Sequence, residues 1–104
     1  MEKDYEIKLE GSVLTVVLGE NLSVTNSPTL TADLDQYKGQ DVEKVVFDAT
    51  KLKYISSSGV RVILYCKKYL GTSPELVFIN CNKDILDVFD FVGIIPYITL
   101  LTKP

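Results

Sequence analysis

Three short runs dense in β-branched and other apolar residues, 13–18, 45–47 and 76–79, alternate along this chain with three segments of helical apolar spacing. No other feature narrows the fold as much. Apolar runs this short suit strands, and those at 45–47 and 76–79 suit strands buried on both sides. Strands alternating with helices build a sheet with helices packed on it. A further strand is expected at 7–10, where Ile7, Lys8, Leu9 and Glu10 alternate apolar with polar. Gly11 and Ser12 give a turn signal, so the first two strands should form a hairpin.

The helical segments carry start and stop signals. Asn26 or Ser27 can cap the first, with Pro28 in its first turn, Leu30, Leu34 and Tyr37 on one face, and Gly39 ending it. The second spans 60–70, with Val60, Ile63, Leu64 and Tyr65 in one apolar zone that Cys66 and Leu70 extend. Arg61, Lys67 and Lys68 are free to face solvent there. Gly71, Thr72, Ser73 and Pro74 break the chain. Asn82 can cap a third helix containing Ile85, Leu86, Val88, Phe89 and Val92, and Gly93 closes it. The apolar connection 94–97 is expected in the core, and a last strand is expected at 97–101. Residues 19–25 and 49–55 read as connections. The expected fold class is α/β: one domain over 1–104, a mixed sheet with helices packed on it, in the order β-β-α-β-α-β-α-β.

Composition excludes several functions. No stretch of 18 apolar residues occurs, so no membrane span is expected. Residues 1–6 are polar and lack a signal-peptide core, which points to a cytoplasmic protein. The net charge is −3 and no basic stripe exists, so nucleic-acid binding is disfavoured. Cys66 and Cys81 lack metal-ligand spacing and read as reduced, half-buried thiols. Histidine is absent, which removes the commonest general base and transition-metal ligand and shifts the balance from catalysis toward binding. No cofactor or metal is expected.

Ser56-Ser57-Ser58-Gly59 is the candidate site. The ordinary role of serine at a helix start is capping, where its oxygen accepts a free helix N–H. The same place suits a switch, because phosphorylation adds about −1.5 to −2 charges and Gly59 lets a partner or phosphate approach the backbone. A hydrolase nucleophile is disfavoured. The nucleophile elbow needs glycine on both sides of the serine, and Ile55 stands where the first should be. Asp48 ends a strand as a receiver-domain aspartate does, but the accompanying acidic pair and late lysine are missing, so local turn bonds are its expected role. Asp84, Asp87 and Asp90 are expected on a solvated helix face rather than in an oxygen cage.

These residues resemble a family. A strand 45–48 ending in Asp48, the hydrophobic pair Tyr54-Ile55, then Ser57-Ser58-Gly59 and an apolar helix look like the STAS domain, and more narrowly like the bacterial anti-sigma-factor antagonists. Gly19-Glu20 with Leu22, then Pro28 and Leu30, also resemble the family, and the resemblance spans essentially the whole chain. It implies a non-enzymatic regulator that binds an anti-sigma factor with serine kinase activity, is phosphorylated on Ser57, and is reset by a Ser/Thr phosphatase. The implied partner surface is Ser23, Thr25 and Asn26 with Ser56, Ser57, Ser58, Gly59 and Arg61. Two positions depart from the pattern: Ser56 stands where the family usually has Asp, and Ser23 where it often has Asp. The first departure leaves Ser56 as an alternative acceptor. The other reading within the fold is a STAS scaffold of a signalling or lipid-transport complex that needs no phosphorylation.

Overall fold

The computed structural model describes residues 5–71 and 73–101; the polar start at 1–4 and Thr72 of the expected break lie outside them. The elements are β1 (Tyr5–Glu10), β2 (Val13–Leu18), β3 (Asn21–Leu22), α1 (Ser27–Asp35), β4 (Lys44–Asp48), β5 (Tyr54–Ile55), α2 (Ser57–Tyr69), β6 (Glu75–Ile79), α3 (Lys83–Val92), a 3-10 turn (Ile95–Tyr97) and β7 (Thr99–Leu101). The expected β-β-α-β-α-β-α-β order is present, with two short strands, β3 and β5, added to it.

Five strands form one mixed sheet in the order β1-β2-β4-β6-β7. The hairpin β1–β2 is antiparallel, with Gly11 at φ +61° in its turn. The remaining neighbours are parallel, so each pair needs a crossover. The three helices fill those crossovers.

Register explains the core. Side chains alternate along a strand with period two, which puts Leu14, Val16, Leu18, Val45, Phe47, Leu76 and Phe78 on one buried face. The intervening Val13, Thr15, Val17 and Val46 lie half-buried on the other face. Leu30 and Leu34 of α1, Val62, Ile63 and Cys66 of α2, and Ile85 and Phe89 of α3 join the first set in one cluster. Phe47 stacks on Phe78 at 4.7 Å between ring centroids, and Phe89 meets Phe78 edge-on at 5.0 Å. These rings lock α3 to the centre of the sheet. At the α1–α2 seam the Tyr65 hydroxyl donates to Asp35, and Lys38 lies 3.0 Å from the same carboxylate. Tyr65 first, and Lys38 second, hold the Asp35 carboxyl below its ordinary value.

The structure corrects several expectations of burial and element bounds. Leu64 is 46 % exposed and Val62 is buried in its place. The buried stripe of α2 runs through Gly59, Val62, Ile63 and Cys66, and Leu64 falls outside it. Cys66 is fully buried rather than half-buried. Only Ile94 of the 94–97 connection is buried, with Ile95 half-buried and Pro96 and Tyr97 exposed. The last strand starts at Thr99 because Pro96 sits in the preceding 3-10 turn. Among the described residues no helix is long and apolar enough to cross a membrane.

Two measurements check this packing. Phe78→Ala should lower the unfolding free energy in urea by about 3–5 kcal/mol. Phe91→Ala should change it by less than about 0.5 kcal/mol, because Phe91 is 92 % exposed. Burial also pushes the Cys66 thiol up to about 12 and the Cys81 thiol up to about 11. Both are therefore protonated at pH 8 and should resist alkylation in the folded protein, reacting rapidly once it is unfolded. Fast labelling of native Cys66 would contradict the burial.

Candidate functional site

The site lies where β4 hands the chain to α2. Asp48 closes β4 and turns its carboxylate to its own loop: Oδ1 accepts the Thr50 N–H at 3.0 Å and the Thr50 hydroxyl at 2.6 Å. Asn80, at the end of β6, donates its side-chain amide to Thr50 Oγ1 at 3.1 Å. Asp48 thus makes the local turn bonds expected of it.

Beyond that loop, β5 pairs in parallel with β3, setting Leu22 beside Ile55. The Ser56 N–H continues the ladder, donating to the Leu22 carbonyl at 2.9 Å. Ser56 keeps an extended backbone and its Oγ accepts the Gly59 N–H at 3.3 Å, so it is the cap of α2. Gly59 is buried. A Cβ there would stand 2.6 Å from Ile55 Cγ1 and 2.7 Å from the Leu22 carbonyl oxygen. The expected use of Gly59, admitting a partner or phosphate to the backbone, is corrected accordingly: the space is filled by this chain's own Leu22 and Ile55.

The loop after β3 is tied from below. The Asn26 side chain accepts the Ser23 N–H at 2.8 Å and donates to the Asn21 carbonyl at 2.8 Å. Asn26 has helical backbone angles, caps nothing with its side chain and is only 7 % exposed. It positions the loop and does not offer its side chain to a partner. Ser27 does not cap α1 either, because its buried hydroxyl has no hydrogen-bond partner among the described residues. Ser23 and Thr25 share a hydroxyl–hydroxyl bond of 3.0 Å, with Ser23 half-buried and Thr25 exposed.

Five of the predicted residues therefore meet around one joint: Ser23, Thr25, Ser56, Ser57 and Ser58. Ser57 is the first residue of α2 and is exposed, whereas Ser56 and Ser58 are half-buried. Arg61 is exposed four residues further on and has no ion pair among the described residues. Two exposed apolar side chains were absent from the expected surface: Val24 in the loop and Tyr54 on β5. Tyr54 is turned outward beside its buried neighbour Ile55, whereas Val24 lies past the end of β3, where no alternation in the sequence marks it. Among the described residues no His, Cys, Asp or Glu cluster could hold a metal ion. Asp84, Asp87 and Asp90 are all exposed, as expected, and Lys83 pairs with Asp87 at 2.8 Å.

The STAS domain profile matches residues 4–103. The chain belongs to the STAS domain family. Within it, the chain is 31 % identical over 87 residues to BtrV of Bordetella bronchiseptica, named as a candidate anti-sigma factor antagonist, covering 83 % of this chain and 74 % of that one. The Bacillus cell-fate determinant SpoIIAA in its phosphorylated form superposes with a TM-score of 0.75 at 17 % identity, over 96 % of this chain and 91 % of that one. An anti-sigma factor antagonist from Mycobacterium paratuberculosis superposes with a TM-score of 0.78 at 12 % identity, over 93 % and 83 %. By relationship and fold this STAS domain groups with the anti-sigma factor antagonists.

The joint generates two stability tests. Ser56→Ala should cost about 1 kcal/mol in unfolding free energy, and Ser56→Asp, which keeps a capping oxygen, should not. Gly59→Ala should destabilise. Its helix-propensity gain of about 1 kcal/mol is opposed by overpacking worth about 1–3 kcal/mol, and one of the two clashing atoms is backbone that cannot step aside.

Proposed function

We propose that this STAS domain is an anti-sigma-factor antagonist that works by partner switching. Unmodified, it binds an anti-sigma factor with serine kinase activity. Phosphorylation of Ser57 ends that binding, and a Ser/Thr phosphatase restores it. The domain is the substrate in this cycle and not an enzyme, and it acts in the cytoplasm.

The observation that carries this reading is how the three serines are sorted. Ser56 spends its hydroxyl oxygen on the Gly59 N–H and its own N–H on Leu22. Ser58 is half-buried. Ser57 alone of the three is exposed, so a kinase can reach it without unwinding α2. Ser57 is therefore favoured over Ser56 as the acceptor. The surface around it combines the hydroxyls of Ser23 and Thr25 with the apolar Val24 and Tyr54 and the cation of Arg61. Apolar anchors with a polar surround suit a protein partner. A phosphate of about −1.5 to −2 charges in that contact would have to be desolvated or paired, and a partner fitted to a neutral hydroxyl offers no such pairing.

Two experiments test this. Intact-mass analysis after incubation with the candidate anti-sigma kinase and ATP should show one added phosphate, lost in Ser57→Ala and retained in Ser56→Ala. Stable complex formation with no added phosphate would instead indicate the scaffold reading. In a binding assay Ser57→Asp should lose the anti-sigma factor and Ser57→Ala should keep it; equal binding by both would sink the switch.

A further inference from the structure

Ser57 and Arg61 are four residues apart on α2, both exposed, and Arg61 has no ion pair among the described residues. Side chains at this spacing lie on the same helix face, with Cβ atoms about 5–6 Å apart. The order also matters: an anion N-terminal to a cation at this spacing is the more favourable arrangement. A seryl phosphate presents three oxygens, and a guanidinium is the planar, permanently charged group that matches them with paired N–H donors.

We infer that Arg61 is the internal counter-ion of the phosphorylated Ser57 side chain, so that modification both adds an anion and withdraws this cation from the partner-binding face. The inference rests on Ser57 being the modified residue and adds how the modified state is held. The neighbouring groups favour it. Ser56 and Ser58 are uncharged, and Glu20, just before β3, is matched by Lys53 at 3.8 Å. No carboxylate among the described residues competes for Arg61 through an ion pair. In the unmodified protein the guanidinium is free to meet an acidic group on a partner. After phosphorylation the same guanidinium is engaged by the phosphate one turn earlier. One event thus alters two contacts, which gives a sharper change than added charge alone.

The test avoids the kinase by installing phosphoserine at position 57 during translation in the otherwise complete chain. The phosphate is then titrated by 31P NMR between pH 4 and pH 8, in the parent and in Arg61→Gln, with circular dichroism confirming that both are folded. Arg61 favours the dianion, so the second phosphate ionisation should occur about 0.3 pH unit lower in the parent. The difference should shrink in 1 M salt, where the screening length falls to about 3 Å, and Arg61→Lys should restore part of it. Superimposable titrations of parent and Arg61→Gln at low salt would overturn the inference. Because no kinase or partner is present, a failure of partner switching would leave this result unchanged. Conversely, identical titrations alongside intact switching would remove the Arg61 role alone.

Discussion

The site depends on the backbone of Leu22. Its carbonyl accepts the Ser56 N–H, its strand pairs with β5, and its carbonyl oxygen occupies the space that a side chain at position 59 would need. These three contacts join a loop from the first half of the chain to the start of α2 in the second. Without them the exposed serine and the Ser23–Thr25 loop would be separate surface features. With them, the two are held in one surface whose geometry is set by main-chain bonds, which do not vary with side-chain rotamer. The Asn26 side chain finishes the work from the other side, fixing the loop through Asn21 and Ser23.

Phe47, Phe78 and Phe89 perform the corresponding task beneath the site. The rings stack through the middle of the sheet and into α3, so the strand ends that carry Asp48 and Asn80 are backed by close-packed core. Interiors packed this densely do not deform gradually. A charge added at Ser57 is therefore expected to act at the surface where it is placed, through electrostatics and desolvation, rather than by remodelling the fold. The neutral cap at Ser56 fits this view. It satisfies the helix as an aspartate would and puts no carboxylate beside Ser57, so Coulomb repulsion of the phosphate proposed there is reduced.

Much of this was legible in the sequence. The strands containing 13–18, 45–47 and 76–79 announced themselves because each is a dense apolar run and each lies in the sheet. The resemblance carried by Tyr54-Ile55 and Ser57-Ser58-Gly59 pointed to the family, and the STAS profile match bears that out. What escaped had physical reasons. Strands β3 and β5 are two residues each, too short to show a period, and exist because they pair with each other across more than thirty residues of sequence. Asn26 reads as a cap from its position, yet its amide makes two opposed bonds inside the loop, which only the loop's shape reveals. In α2, apolar residues occupy Val60, Val62, Ile63, Leu64 and Tyr65, so composition cannot phase the buried stripe, and Leu64, expected inside it, lies outside. Gly59 reads as a close-approach glycine, but sequence does not say that the approaching backbone is this chain's own.

The central claim is that the face built around Leu22, with Ser57 exposed on it, is where an anti-sigma factor binds. Hydrogen exchange of the amides, compared between the free protein and its complex with the candidate anti-sigma factor, tests this directly. Protection should rise in residues 22–26 and 54–61 and stay unchanged along β1 and β7, the two edges of the sheet. Protection confined to β1, β7 or the open face of the sheet, with 54–61 unaltered, would contradict the account.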